Sequence, residues 1–303
     1  MLRPAATRSR RHRQSGFALV TVALSLVSLV GTVGLGVDIG RMYIAKSEAQ
    51  AVADSAALAA ALELDGTPQG IARARQAASA AAHRQAEFSV LAEGPFVAVP
   101  KFADGVRFVR VTAEAPVDIY FLRVTGAPAT STARASAVAG QVEKTNFREG
   151  LFPFAVVTPE GGLVPAGRYA LGYVESSDDA AVRPAVLSEL QTRPVALGDS
   201  LPMTAPRPDT VLQALGERLT MDADPSSATY AAYNGNGRRL VAVPVLSADN
   251  RVEGFAAVFL PPASDIQALE NLTAEYVGPW VQGSHSRGAA DTPAGAYVVR
   301  LVQ

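Results

Sequence analysis

The chain has 303 residues, 27 basic and 28 acidic, with 49% hydrophobic composition and mean hydropathy +0.15. It has no cysteine, which excludes a disulfide framework, a lipidated cysteine and cysteine metal sites. Five arginines fall in the first sixteen residues, so 22 basic residues stand against 28 acidic ones beyond them, a balance that gives no support for binding nucleic acid or anionic lipid.

Arg3, Arg8, Arg10, Arg11 and Arg13 precede an unbroken uncharged run, Phe17 to Val37, and the first acid of the chain is Asp38. At about 1.5 Å per helical residue this run spans roughly 30 Å, the hydrocarbon thickness of a bilayer. Basic flanks stay cytoplasmic, so the expectation is a cytoplasmic arm over 1–16, a transmembrane helix over 17–37, and an exported remainder. A cleaved secretory signal fits less well. Its apolar core is shorter, about 7–15 residues, and the nearest small-x-small site, Ala51-Val52-Ala53, comes too late. The arginines lack interleaved aromatics and abut the apolar run, so they read as a topology signal and not as a nucleic-acid patch.

Helical pattern continues past the run into an alanine-rich stalk over 38–92. No proline occurs from Asp38 to Leu64, and Ala45, Ala49, Ala53, Ala56 and Ala60 recur at three- and four-residue spacing. Alanine favours helix, and a stripe of small residues lets another backbone approach closely. Gly36 and Gly40 form a GxxxG pair where the helix leaves the apolar run. These seven residues are the expected helix-pairing face. The alanine stripe has two readings of equal weight, a partner helix or the protein's own globular region. Asp65-Gly66-Thr67-Pro68 ends the helix, and a second alanine-rich helix is predicted from about Gly70 to Phe88.

Beyond Glu93-Gly94-Pro95 the period changes to two. Phe96–Phe102 and Val106–Ala115 predict a hairpin around Asp104-Gly105, and Val109 with Val111 supplies a face able to cover the helix. Pro116–Gly126 is ambiguous, and Thr130–Val142 reads as a third strand, which completes a small antiparallel sheet over 93–143. Residues 144–150 read as a linker to a C-terminal α+β domain, 151–303. There Leu151–Thr158 and Arg168–Val174 predict strands, Asp209 caps a helix to about Leu219, and Leu240–Leu246 with Val252–Leu260 makes a hairpin. Ser264 with Gln267 predicts a capping box for a helix to about Leu272, and Tyr297–Val302 a closing strand. The fold class is therefore α+β: one N-terminal transmembrane helix, an alanine-rich helical stalk, then an exported region rich in antiparallel sheet.

Chemistry is sparse. His12 and His83 have no evident partners, and Ser284-His285-Ser286 near Asp291 has the letters of a triad without a GxSxG elbow. The acidic run Glu175, Asp178, Asp179 lacks the spacing and glycine of a calcium loop. There is no Walker A and no GxGxxG. No catalysis, metal or cofactor is expected.

One stretch is more specific. Gly16 opens G-F-A-L-V-T-V-A-L, then come G-V-D-I-G-R at 36–41 and A-Q-A-V-A-D-S-A-A-L-A-A-A at 49–61. This resembles the N-terminal segment of TadE/TadG-like proteins of the tight-adherence (Tad, Flp pilus) assembly system, with Gly16, Asp38, Gln50 and Asp54 at the matching positions. Arg238–Val245 and Glu253–Leu260 are similar to C-terminal parts of TadG-like proteins. The resemblance implies a bacterial inner-membrane protein that faces the periplasm and helps assemble or anchor a pilus through other Tad or pilin-like proteins, as a homo- or hetero-oligomer. The DxSxS metal motif of longer relatives is missing. Gly16-Phe17 after an arginine-rich leader also resembles a prepilin cleavage site, which keeps a processed minor pilin-like subunit as an alternative. Pilins have glutamate five residues into the mature chain, where this sequence has Thr21, so a retained anchor is favoured. A membrane-tethered periplasmic hydrolase or ligand-binding protein is the alternative from another class.

Overall fold

A computed structural model describes residues 14–90, 96–102, 107–282 and 295–302. The arginine arm, His12, Glu93-Gly94-Pro95, the Asp104-Gly105 turn and the Ser284/His285/Asp291 group lie outside these described residues.

Helix α1 (Gln14–Leu62) is one uninterrupted 49-residue helix, so the apolar run and the alanine-rich stalk as far as Leu62 are a single rod. Helix α2 (Pro68–Ala86) folds back on it. The turn between them is built by local chemistry. Gly66 takes φ +77°, Thr67 caps α2 by accepting from the Gly70 N–H at 3.0 Å, and Pro68 fills the first turn. Burial alone would raise the Asp65 carboxyl, but donation from Thr67 and from the Arg73 guanidinium at 2.6 Å outweighs it and holds the group below its ordinary range.

Strands β1 (Val97–Phe102), β2 (Phe108–Asp118) and β3 (Thr130–Glu143) form an antiparallel meander. Alternation turns Val109, Val111, Ala113 and Ala115 of β2 inward, opposite Ala139, Ala137, Ala135 and Ala133 of β3. That face is covered by α1 and α2. The other is solvated and holds the directly opposed pair Glu114–Arg134 at 2.8 Å.

The short β4 (Asn146–Phe147) leads to β5 (Phe154–Val157), β6 (Arg168–Tyr173), α3 (Asp179–Ser188), β7 (Val195–Ala196) and α4 (Pro208–Thr220). Then follow β8 (Leu240–Leu246), β9 (Val252–Phe259), β10 (Thr273–Gly278), β11 (Trp280–Val281) and β12 (Ala296–Leu301). The order β10-β6-β5-β8-β9 closes into a barrel, antiparallel except where β5 pairs with β8. Closure removes the exposed edges that a five-stranded sheet would leave. Val182 and Val186 of α3 and Val211, Leu215 and Leu219 of α4 share the core that includes Phe154, Val243 and Tyr276 of the barrel strands. The α+β class is as expected.

The last strand does not stay with the region before it. β12 pairs antiparallel with β3, Tyr297 opposite Glu143, so the first sheet reads β1-β2-β3-β12-β11. Phe147 packs at a tilt on Phe255 and Trp280, with ring centroids 4.5 and 5.5 Å apart, joining barrel and sheet through aromatic packing.

Two expectations in this half are corrected. Helix α4 starts at Pro208 with Arg207 as the unbonded cap, so Asp209 is a first-turn acid and not the cap. Ser264 donates to the adjacent Asp265 and opens no α-helix. Residues 263–271 contain only two three-residue 3-10 turns, while Ile266 and Leu269 reach into the barrel core. The acidic run serves structure, with Asp178 capping α3 and Glu175 accepting from Ser176 and Thr192.

Candidate functional site

The described residues concentrate their unusual features where α1 leaves its apolar run. Large apolar side chains are exposed along this stretch, from Phe17 through Val37 and on to Ile44. Among the described residues one helix is long and apolar enough to cross a membrane, judged by length and composition.

Asp38, at the end of the run, is buried. Its carboxylate accepts three consecutive backbone N–H groups, from Tyr120 at 3.1 Å, Phe121 at 2.8 Å and Leu122 at 2.6 Å. They lead into a 3-10 turn, Leu122–Thr125, in the loop between β2 and β3, with Phe121 as its N-cap. The first N–H groups of a helical turn have no partner within it, and the turn's own cap, Phe121, makes no side-chain bond. Asp38 therefore caps a turn more than eighty residues away and complements its positive end. One turn earlier, Gly34 leaves room for the Phe121 ring, since a Cβ there would lie 2.5 Å from its carbons. One turn later, the Arg41 guanidinium lies over the Tyr120 ring, 4.7 Å from its centroid. Gly34, Asp38 and Arg41 thus form one stripe that clamps the loop.

The next turns dock on the sheet. Gln50 donates to Asp54 at 2.7 Å, an i,i+4 pair, and reaches the Ser136 carbonyl of β3 at 3.4 Å. Ala45, Ala49, Ala53, Ala56 and Ala60 have no exposed surface, and all but Ala45 join a core made with α2, β2 and β3. At the end of α1, the buried Gln141 amide of β3 donates to the carbonyls of Ala61 at 2.9 Å and Leu64 at 2.7 Å. The alanine stripe thus packs on the protein itself, the second of its two readings. Gly36 and Gly40 are exposed, and apart from the helix's own neighbouring backbone no described atom lies within 4 Å of a Cβ built on them. Nine residues at about 100° each put Gly36 half a turn from Ala45, so the seven residues grouped from sequence lie on two opposite faces.

Gly16 is exposed on α1, and Thr21 bonds its hydroxyl back to the Phe17 carbonyl at 2.9 Å. His83 is exposed on α2, and among the described residues no three His, Asp or Glu side chains gather as a metal ion requires. Two arginines missed from sequence are buried in the barrel region. Arg218 pairs with Glu189 and donates to the carbonyls of Val186 and Arg238. Arg239 donates to the carbonyls of Asp224, Ser227 and Leu260 at 2.6–3.1 Å and stacks 4.3 Å from Phe259. It thereby holds the 222–237 loop. Within that loop the Ser227 hydroxyl, with the N–H groups of Asn234 and Ser227, pulls the Asp224 carboxyl down to about 2.

The signature positions Asp38, Gln50 and Asp54 were legible as residues, whereas their partners were not. The loop itself, Ile119-Tyr120-Phe121-Leu122, has no period that marks it as strand or helix. Two adjacent aromatics, Tyr120 and Phe121, were its only signal.

Residues 16–63 match the family model described as putative Flp pilus-assembly TadE/G-like, in agreement with the resemblance drawn from Gly16 to Ala61. That match covers α1 and does not reach Arg238–Val245 or Glu253–Leu260. No curated protein and no solved structure matches the chain.

Proposed function

We propose that the chain, TadE/G-like over residues 16–63, is a membrane-anchored structural component of a Tad (Flp-type) pilus assembly apparatus. One observation carries the reading: the matched segment is the single helix α1, whose first half is exposed and apolar and whose second half is buried in the sheet. The apolar half is the anchor, with the arginine arm on the cytoplasmic side and the sheet and barrel in the periplasm of a bacterial inner membrane. Function follows from protein–protein contacts and not from catalysis.

The division of labour along α1 is part of the proposal. Asp38, Gln50, Asp54 and the alanine stripe fix the helix to its own sheet, while Gly36 and Gly40 remain for pairing with another membrane helix. Gly36→Leu with Gly40→Leu should lower crosslinking to pilus-assembly partners and leave the melting of the folded region unchanged. If a deletion strain complemented with this double variant still makes pili and all crosslinks persist, the pairing face is wrong.

The anchor itself is tested by the N-terminal sequence of the protein extracted from native membranes. A start within residues 1–16 supports a retained anchor. A start at Phe17 means prepilin-type processing, which Gly16-Phe17 behind the arginine arm permits, and the protein is then a pilin-like subunit.

A further inference from the structure

The β2–β3 loop lies beside the apolar run, not above it. Phe121 packs on Gly34, inside the uncharged segment Phe17–Val37. Loop and helix together line a groove of about 500 Å³, with Leu26, Val30 and Leu35 on one side and Phe121, Leu122 and Val124 on the other. Leu26 precedes Asp38 by twelve residues, roughly 18 Å along a helix, more than half of a bilayer's hydrocarbon core of about 30 Å. Tyr120, Phe121 and Val124 are 51%, 43% and 91% exposed, so the described protein does not cover them.

We propose that Tyr120–Val124 is a second membrane contact: an apolar wedge held by Asp38 in the leaflet at the C-terminal end of the α1 span, with lipid acyl chains filling the groove. This rests on the membrane-span reading of α1. The backbone is what separates a membrane wedge from an ordinary sticky loop. In hydrocarbon every N–H must be satisfied within the protein, which bars most irregular loops. Here the N–H groups of Tyr120, Phe121 and Leu122 go to Asp38, and that of Ile119 goes to the Ala129 carbonyl at 2.9 Å. Those of Val124, Gly126 and Ala127 bond within the turn, so at least seven of the nine N–H groups from Ile119 to Ala127 have a protein acceptor, and residue 128 is a proline with no N–H. Gly126 at φ +92° makes the tight return that this closure needs.

The polar groups fit the same placement. The Tyr120 ring beneath Arg41 is the aromatic–cation pair of an interface, and Tyr and Trp favour that level. Arg123 is exposed in the middle of the turn, and its long stem lets the guanidinium reach the phosphate level while Phe121 and Val124 stay below. Lipid is the occupant because the groove is continuous with the exposed surface of Phe17–Val33, and whatever solvates that surface also reaches the groove.

The chain's lack of cysteine makes the test direct. Three full-length variants, Val124→Cys, Val22→Cys in the apolar run and Leu190→Cys at an exposed site just after α3, are labelled with a small fluorophore and reconstituted in phosphatidylcholine/phosphatidylglycerol vesicles carrying doxyl-labelled lipid. The wedge predicts strong quenching at 124 and 22 and little at 190. It also predicts that the unlabelled Val124→Cys protein reacts ~tenfold more slowly than the unlabelled Leu190→Cys protein with a membrane-impermeant maleimide. Quenching at 22 with a fast, unquenched site at 124 overturns the wedge and leaves the span intact. No quenching at 22 removes the span and the wedge with it. Protection at 124 without quenching means that a second copy covers the loop, which overturns the lipid assignment.

Discussion

Replacing Gln141 with methionine tests how the rod is joined to the sheet. The side chain is buried, and its amide supplies hydrogens to two carbonyls at the end of α1, those of Ala61 and Leu64. Helix C-termini leave carbonyls without intrahelical partners, and the Gln141 amide reaches two carbonyls there. Methionine keeps the length and removes both donors, so two buried acceptors lose their partners. At about 1–3 kcal/mol for each of the two groups left unsatisfied, the cost is about 2–6 kcal/mol. A region of this size shifts by roughly 2–4 °C per kcal/mol, which gives a fall of roughly 4–24 °C. The assay is thermal unfolding in detergent followed by circular dichroism, with hydrogen exchange at residues 58–66 as a local readout. Gln141→Glu should be at least as damaging, because an acceptor then faces two acceptors. If methionine changes the melting temperature by less than one degree and exchange is unaltered, the amide does not hold the helix end.

Three further outcomes are expected. Ala53→Leu forces three carbons into a site with no exposed surface and should destabilise by about 1–3 kcal/mol in the same melt, whereas loss of partner crosslinks at unchanged stability would mean that the stripe faces outward. Asp38→Asn weakens an acceptor shared by three N–H groups, and amide exchange at 120–122 should accelerate by about tenfold, with exchange in the barrel unchanged. Asp224 has its folded value depressed from 3.8 to about 2. Its contribution is therefore complete above 3.8 and is lost as pH falls through 2. Proteolysis of the 222–237 loop by an acid-active protease should rise only within that window, and Asp224→Asn should abolish the dependence.

Much of this architecture could be read from pattern. The 3.6 period of alanines marked α1 and α2, the two-residue period of Val109–Val111 marked β2, and the short apolar run Leu240–Leu246 marked β8, because each of these elements buries one face or lies inside a core. Helix α3 escaped because Pro184 interrupts it and its acids look like loop chemistry. Residues 263–271 misled because Ser264 and Gln267 have capping-box letters, while packing of Ile266 and Leu269 on the barrel leaves no length for an α-helix.

Sequence alone determined the uncharged run, its charge asymmetry, the helical rod beyond it and the TadE/G-like positions, because these are properties of local composition and spacing. Only tertiary structure decided what those positions touch. Asp38 meets the Tyr120–Leu122 backbone, Gln141 closes the rod, and β12 returns to β3, all across separations that no local period encodes. The alanine stripe shows the difference most plainly. Small residues at helical spacing specify a close approach, but the approaching backbone is chosen by whichever apolar face the rest of the chain brings there, and here that face is the inner side of β2 and β3.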